Sequence, residues 1–226
     1  MALVTVLRQV VSSKGSQQEV WDSIAESWRH LRTKPYGDLK EFAHNRKGLI
    51  LDLGCGSGRN FLAGKKYVGI DFSENMLKYA KQNAEKNGIE AYLVKAGSSR
   101  LPFKSNSFNT ALLVAALHSM EDRASCLNEM KRVMAKGGKA FVTVWNRIQP
   151  RFLLSKRESL VPWKAGDKIY WRYYYLFTKD ELRKLLSAYF NVQKISGSRE
   201  KALKLFPKNI IAIVQKPRPN ARVGLK

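Results

Sequence analysis

Three alternating glycines follow an apolar stretch, and together they could hold a small molecule against the backbone. Residues 49–53 read Leu-Ile-Leu-Asp-Leu, which is typical of a central parallel strand buried on both faces. Gly54, Gly56 and Gly58 follow at once and permit positive φ angles and a close approach of the backbone to a ligand. The stretch therefore predicts a strand that leads into a cofactor loop, with a helix of only a turn or two after it.

Two aspartates near this loop indicate the kind of cofactor. Asp71 ends a second predicted strand and lies 19 positions after Asp52, about the separation at which a carboxylate reaches the hydroxyls of a ribose from the neighbouring strand. A nucleotide-hydrolase loop would need Lys-Ser or Lys-Thr after its last glycine, whereas Arg59 and Asn60 stand there. An acid at position 52 suits a cofactor that carries an ammonium and a sulfonium better than one that carries a pyrophosphate.

The composition indicates one intracellular domain with a polyanionic partner. The length of 226 residues and a hydrophobic content of 44% suffice for one α/β domain with additions. The formal net charge of +23 favours nucleic acid over an anionic membrane, because no long basic amphipathic helix or lipidation signal is visible. The two cysteines form neither a metal-ligand spacing nor a disulfide framework. With no leader or membrane segment visible, we expect a cytoplasmic protein without a membrane partner.

Residues 51–58, Leu-Asp-Leu-Gly-Cys-Gly-Ser-Gly, resemble the first motif of class I S-adenosylmethionine-dependent methyltransferases at every position. The resemblance implies a Rossmann-like α/β fold with a mostly parallel seven-stranded sheet and helices on both faces, and S-adenosylmethionine as cofactor. The family's usual acid before Leu-Pro-Phe at 101–103 is replaced by Gly97, so the adenine contact falls to backbone groups or to Ser98. The cofactor-binding residues that the resemblance implies are Asp52, Gly54, Gly56, Gly58, Asp71, Phe72 and Ser98.

Four regions are expected along the chain. They are an N-terminal arm with cap helices (1–47), the S-adenosylmethionine-binding core (48–145), a basic aromatic insertion (146–175), and a C-terminal helix with closing strands and a basic tail (176–226). Residues 1–18 receive no function. The helical spacing of Trp21 and Trp28 in the first helix is interpreted as ordinary packing. Strands are predicted at 67–70, 91–94, 108–117, 140–144, 192–195 and 209–215.

The predicted insertion alternates cations with aromatic rings. Trp163, Lys164, Trp171 and Arg172 exemplify the pattern, which ends in three consecutive tyrosines. Single-stranded nucleic acid suits this combination, because its phosphates need positive charge and its unstacked bases need flat faces. A hairpin that packs on the sheet with a solvated basic side is the alternative.

Residues 20–35, together with 161–164 followed by 172–177, resemble the tRNA wobble-uridine carboxymethyl methyltransferases, including the methyltransferase domain of the animal AlkB-homologue enzyme. The resemblance implies esterification of the carboxymethyl group on a wobble uridine in the anticodon region of tRNA. A carboxylate is already ionised at neutral pH, so it needs alignment with the sulfonium methyl and no general base. The implied roles are Arg32 for orienting the acceptor carboxylate, His118, Arg123 and Trp145 for lining the uridine pocket, and Lys34, Lys164 and Arg172 for contacting phosphates.

The same resemblance implies a small zinc-binding methyltransferase activator protein as partner, while the chain itself is expected to bind no metal. Two other functions remain open. A small-molecule carboxyl or quinone methyltransferase shares the cofactor motifs but gives no reason for the charge of +23. A non-catalytic RNA-binding member of the fold shares the charge, although the intact glycine loop and Asp71 argue against it.

Overall fold

The computed structural model describes residues 16–152, 154–199, 201–202 and 206–218, so most of the N-terminal arm and the end of the basic tail lie outside the described residues. The helices are α1 (Ser16–Leu31), α2 (Gly37–His44), α3 (Glu74–Lys86), α4 (Arg123–Val133) and α5 (Lys179–Ser187), with 3₁₀ turns at Leu117–Ser119 and Pro150–Phe152. The strands are β1 (Leu49–Leu53), β2 (Lys66–Asp71), β3 (Glu90–Lys95), β4 (Phe108–Val114), β5 (Met134–Trp145), β6 (Glu158–Ala165), β7 (Lys168–Tyr175), β8 (Asn191–Gly197), β9 (Lys201–Ala202), β10 (Phe206–Pro207) and β11 (Asn209–Gln215).

Seven strands form the central sheet in the order β3-β2-β1-β4-β5-β11-β8. The first five are mutually parallel, and β11 runs antiparallel to both of its neighbours. The predicted mostly parallel seven-stranded sheet is confirmed. Chain order reverses between β1 and β4, and open α/β sheets bind ligands in the crevice that such a reversal opens at the carboxyl ends of the strands.

Helices cover both faces of this sheet because β1 is apolar on both sides. Leu51 packs with Leu127 of α4 and Leu182 of α5 in one buried cluster. Ile50, the preceding residue, points to the opposite face and packs with Leu39 of α2 and with α3. The two clusters fix β1, and with it the start of the glycine loop.

Two predicted elements differ from the structure. Residues 59–65, all of which are described, form turns and no helix, since Gly58 and Gly64 both adopt a φ of 73° and interrupt the helical path. Strand β4 ends at Val114 and not at residue 117, because Ala115 adopts a left-handed φ of 54°. The Ala115 N–H donates to the Thr143 hydroxyl at 2.9 Å, which holds the chain as it turns away from the sheet.

Strands β6 and β7 form an antiparallel hairpin separate from the central sheet, whereas the alternative that the sequence left open for residues 146–175 was a hairpin packed on the sheet. The hairpin packs against α1. Gln17 of α1 donates to the Trp171 carbonyl at 3.2 Å and accepts from the Tyr173 N–H at 3.0 Å. The Trp163 indole N–H donates to the Ser27 hydroxyl at 2.8 Å. The first helix and the hairpin are therefore joined by both backbone and side-chain contacts.

Candidate cofactor and acceptor site

A cavity of about 580 Å³ opens at the carboxyl ends of β1, β2 and β4, where the strand order reverses. Its floor is the glycine loop, and residues 96–99 and 114–116 form its sides. Helix α1 covers it with Gln17, Trp21 and Trp28. The sequence suggested only packing for the two tryptophans, although their separation of seven residues places both on one face of the helix.

Asp71 organises the glycine loop and also lines the cavity. One carboxylate oxygen accepts the Gly56 N–H at 2.9 Å, and the other accepts the Ser73 N–H at 3.0 Å. Burial raises the pKa of Asp71 to about 6, against the opposing effect of these backbone N–H bonds. Each oxygen retains a further lone pair, so the carboxylate can accept from ribose hydroxyls while it holds the loop.

Replacing Asp71 with asparagine is expected to weaken S-adenosylmethionine binding at least about tenfold, because the amide loses one charge-assisted acceptor for the backbone and for ribose. Isothermal titration calorimetry measures this change. Asp180→Asn, an exposed position on α5, is the matched control and should bind as the unaltered chain does. Equal affinity for both variants would refute the placement of ribose at Asp71.

Asp52 lies beneath the glycine loop and not on the cavity wall. Its side chain is fully buried, and neither carboxylate oxygen has a hydrogen-bond partner among the described residues. Burial, and to a smaller extent the neighbouring Asp71, raise the pKa of Asp52 to about 8 against the opposing effect of Arg59. A buried carboxylate without a partner is stabilised by nearby positive charge, and a sulfonium or ammonium in the cavity would supply it.

The raised pKa of Asp52 makes the stability of the unliganded chain depend on pH. The folded chain keeps a proton that the unfolded chain, with a pKa near 3.8, releases, so stability falls as pH rises from about 4 to 8. Asp52→Asn removes this loss. The melting temperature of the variant minus that of the unaltered chain should therefore increase from pH 5 to pH 8.5. Asp167→Asn, which is exposed in the β6–β7 turn, is the control, and a pH-independent difference for Asp52→Asn would contradict the assignment.

The predicted glycines have different roles. A Cβ on Gly54 would stand 2.7 Å from the Ala116 Cβ, and the φ of this residue is 68°, so the loop requires glycine there. Gly54 and Gly56 line the cavity. A Cβ on Gly58 would stand 2.8 Å from the Phe61 ring, and Gly58 lies outside the cavity wall. Asp52 and Gly58 do not line the cavity, and their direct cofactor contacts stay predictions.

Phe72 and Ser98 both line the cavity, as the resemblance implies. The Ser98 hydroxyl donates to the Met120 sulfur at 3.5 Å. On the covering side, the Asp22 carboxylate of α1 accepts from the Ser73 hydroxyl at 2.6 Å and from the Asn75 N–H at 3.1 Å. These two bonds fasten α1 across the start of α3, and the sequence analysis missed Asp22 because its partners lie 51 and 53 residues away.

A second cavity of about 560 Å³ lies beside the first. Arg32 and Lys34 line it, and Arg59 lines both cavities. The Arg32 guanidinium carbon stands 5.3 Å from the centre of the Trp28 ring, and Trp28 also lines the first cavity. The predicted acceptor-orienting arginine is thus next to the cofactor cavity but outside its wall.

His118 lies in a stack of aromatic rings. Its ring centre is 5.4 Å from that of Trp145 and 4.9 Å from that of Tyr174. Its Nδ1 accepts a hydrogen bond from the backbone N–H of Trp145 at 3.3 Å. Burial, together with the nearby Arg172 and Arg151, lowers the pKa of His118 to about 3, so the imidazole is neutral. With 1% exposure it supports the stack and cannot line an open pocket, whereas Trp145 is half-buried.

Arg123 contacts the hairpin. It donates to the Met120 carbonyl at 2.7 Å and to the Tyr173 hydroxyl at 3.2 Å, and it lies 4.4 Å from the centre of the Tyr175 ring. An ion pair with Glu158 at 3.9 Å adds to these contacts. Its observed position anchors the hairpin to the start of α4, while the uridine contact remains a prediction.

Arg172 lies in an aromatic cage, with only 3% of its surface exposed. The guanidinium donates to the Tyr174 hydroxyl at 2.8 Å and to the Pro162 carbonyl at 3.3 Å. Burial lowers its pKa. The phosphate contact predicted for Arg172 requires an exposed guanidinium, so this prediction is corrected, whereas Lys164 is exposed on the hairpin. The rings around the guanidinium belong to Trp21, Trp28, Trp163 and Tyr174.

The described ranges contain neither a membrane-spanning helix nor a cluster of metal ligands. No helix there is long and apolar enough to cross a membrane. Likewise, no three His, Cys, Asp or Glu side chains of these residues come together as metal ligands would.

The arrangement of the first cavity fits the cofactor that the sequence implies. Its glycine wall admits close contact, Asp71 offers acceptors to hydroxyls, and the unpartnered Asp52 lies where a cationic ligand would stabilise it. Asp71 and the glycine loop would hold the ligand, while α1 would cover it.

Comparison with known proteins agrees with this geometry. Residues 51–142 match a family model described as a methyltransferase domain. "Probable tRNA methyltransferase 9B" of Homo sapiens is 27% identical over 154 residues, which are 65% of this chain and 33% of that protein. "tRNA (carboxymethyluridine(34)-5-O)-methyltransferase alkbh8" of Xenopus tropicalis is 31% identical over 134 residues, or 56% of this chain and 20% of that protein. The matches thus span a third or less of the length of these two relatives.

A solved structure shows the same fold. It is the complex between the Haloferax volcanii Trm112 methyltransferase activator and a methyltransferase, matched with a TM-score of 0.63 and 16% identity over 90% of this chain and 97% of that one. Together with the match of residues 51–142 and the seven-stranded sheet, this likeness settles the fold class. Residues 51–142 therefore match a methyltransferase domain, and the chain has the fold of class I S-adenosylmethionine-dependent methyltransferases, with S-adenosylmethionine as its cofactor.

Proposed function

We propose that this protein transfers a methyl group from S-adenosylmethionine to the carboxylate of a carboxymethyl group on a wobble uridine of tRNA. The observation that carries the proposal is the position of Arg32. Its guanidinium stacks near Trp28, which lines the cofactor cavity, while Arg32 itself lines the adjoining cavity. A planar guanidinium at this junction can bind two carboxylate oxygens and present one of them to the cofactor.

The chemistry needs orientation more than proton transfer. When bound, S-adenosylmethionine supplies an electrophilic methyl group whose bond to sulfur breaks as a carboxylate oxygen bonds to its carbon. The acceptor is ionised at neutral pH, so no base is required. The neutral, buried His118 is consistent with a reaction that needs no general base. Arg32 would align the acceptor, and the covering α1 would exclude water that competes for the methyl group.

The charge and the two relatives support RNA as the acceptor. The net charge of +23 exceeds what a small carboxylate substrate would require, and both relatives bear the names of tRNA methyltransferases. On the hairpin, the exposed Lys164 shares a face with Trp171, which is 38% exposed, because Lys164 pairs with Ile169, two residues before Trp171 on β7. Cations beside an exposed ring suit phosphates and unstacked bases, so the hairpin is the proposed path for the anticodon loop.

A small activator protein is the proposed partner. The methyltransferase in the structural comparison occurs in a complex with the Trm112 methyltransferase activator. In the present chain, β3 ends the central sheet and exposes 55% of Tyr92, so an edge is available for a partner. Co-purification with a candidate activator, followed by calorimetry, tests the interaction, and the absence of binding would leave the chain to act alone.

Incubation with labelled S-adenosylmethionine and total tRNA, with and without the candidate activator, tests the choice of acceptor. We expect acid-insoluble label that ribonuclease converts to a soluble form. Replacing the tRNA with a quinone precursor or a small carboxylic acid is the matched control. Label only in the small molecules would contradict the proposal and favour a small-molecule methyltransferase.

A further inference from the structure

Helix α1 and the β6–β7 hairpin are packed together above the cofactor cavity. Gln17 and Trp28 of α1 line that cavity. Trp163 of the hairpin packs against Trp28 with 5.0 Å between the ring centres, and its indole N–H donates to the Ser27 hydroxyl at 2.8 Å. Residues 158–175 of the hairpin, all of which are described, do not line the cavity. A ligand on the hairpin can therefore reach the cofactor through α1, the helix that covers it.

Gln17 joins the helix to the edge of β7. Its side-chain amide donates to the Trp171 carbonyl at 3.2 Å and accepts the Tyr173 N–H at 3.0 Å. These two backbone groups lie on the edge of β7 opposite to β6, its partner in the hairpin. The amide thus binds β7 as a neighbouring strand would, with one donor and one acceptor. The side chain that lines the cofactor cavity is also the one that fixes this part of β7.

Trp171 connects this contact to the outer surface of the hairpin. Its carbonyl binds Gln17, while its ring is 38% exposed on the face that the proposed function assigns to RNA. A base that stacks on the ring would restrict the backbone of the same residue. Tyr173, which donates its N–H to Gln17, is in turn bound through its hydroxyl to Arg123 at 3.2 Å. A ligand on the outer face would therefore stabilise the two groups that hold Gln17.

Helix α1 is fastened to the cofactor-binding core at a second point. Asp22 accepts from the Ser73 hydroxyl at 2.6 Å, and the Ser73 N–H donates to Asp71 at 3.0 Å. A short hydrogen-bonded path thus runs from α1 to the carboxylate that would bind ribose. A ligand that orders α1 from one side lowers the entropy cost of binding a second ligand on the other side.

We propose that Gln17 couples the hairpin to the cofactor cavity, so that RNA and the cofactor strengthen each other's binding. The assignment of RNA to the hairpin rests on the proposed function. The coupling goes beyond it, because it depends on the contact between α1 and the hairpin and not on the chemistry of the methyl acceptor. Gln17 thereby acts as a positioning residue, and each ligand should raise the affinity for the other by the same factor.

RNA binding with and without S-adenosylhomocysteine tests the coupling. An anticodon stem-loop RNA with unmodified uridine is titrated into the full chain in both states, and the ratio of the two affinities is the coupling factor. We expect a factor of about five for the unaltered chain and a factor near one for Gln17→Ala. Gln18→Ala is the matched control, since Gln18 lines the same cavity but forms no hydrogen bond to the fully described hairpin. Its coupling factor should equal that of the unaltered chain, even where its cofactor affinity differs.

Ser27→Ala is a second variant, because it removes the acceptor of the Trp163 indole and Ser27 does not line the cavity. Its coupling factor should fall while its affinity for S-adenosylhomocysteine alone stays unchanged.

Equal RNA affinity in both states of the unaltered chain would overturn the coupling, as would a Gln17→Ala factor equal to that of Gln18→Ala. The proposed function fails by a different result, namely RNA that binds but receives no ester. RNA that binds in neither state would refute both.

Discussion

Arg32→Ala is expected to lower the rate of methyl transfer to RNA about 100-fold and to leave the affinity for S-adenosylmethionine within about twofold. Misplacing a reacting group by about 1 Å can cost two orders of magnitude, and alanine cannot hold the acceptor carboxylate. Arg32 lies outside the wall of the cofactor cavity, so cofactor binding should persist. Single-turnover kinetics with a defined RNA, together with calorimetry for the cofactor, separate the two effects.

Two further variants sharpen this test. Arg29→Ala removes an arginine three residues earlier, on α1. Its guanidinium lies 4.5 Å from the centre of the Tyr79 ring and lines neither cavity, so the rate should change little. Arg32→Lys keeps the charge but loses the planar fork, and an intermediate rate is expected. Turnover of Arg32→Ala at the rate of Arg29→Ala would show that another residue orients the acceptor.

Arg172→Ala is expected to lower the free energy of unfolding by about 3 kcal/mol and to weaken cofactor binding in the chain that remains folded. The substitution empties the space between the rings of the cage and leaves the Tyr174 hydroxyl and the Pro162 carbonyl without their donor. Because Trp21 and Trp28 belong both to the cage and to the cofactor cavity, loosening the cage should also loosen α1 over the ligand.

Chemical denaturation and calorimetry measure these two effects, and Arg183→Ala is the control, since Arg183 is exposed on α5. Arg172→Met distinguishes shape from charge. A methionine fills part of the cage without the cost of burying a charge, so it should recover stability relative to alanine. A loss of stability in Arg172→Ala with unchanged cofactor affinity would show that the cage does not position α1.

The parts of the molecule that could be predicted from the sequence depend on local pattern. The glycine loop, the strand before it and Asp71 follow one another within a short stretch, and each residue type has a direct conformational or chemical reason. The seven-stranded sheet follows from the family resemblance and is confirmed. The start of α5 has a local signal of the same kind, since the Thr178 hydroxyl accepts the Glu181 N–H in a capping box.

The remaining features depend on partners distant in the chain. The burial of Arg172 requires rings from α1 and from both hairpin strands, and an alternation of cations and rings looks the same whether it is exposed or buried. The sequence does not show that the Phe61 ring fills the space beside Gly58. The second cavity joins segments up to 167 residues apart, from Arg32 to Arg199, and no local spacing encodes such a distance.

The chemical nature of the transferred methyl group tests the central claim most directly. Purified chain, with and without the activator, is incubated with labelled S-adenosylmethionine and an anticodon stem-loop RNA that carries one carboxymethyluridine, and the labelled RNA is then treated with mild alkali. The proposed ester predicts that the label is released as methanol and that RNA with unmodified uridine takes up none. Label that survives alkali, or equal label in the unmodified RNA, would place the methyl group on a base or ribose and contradict the account.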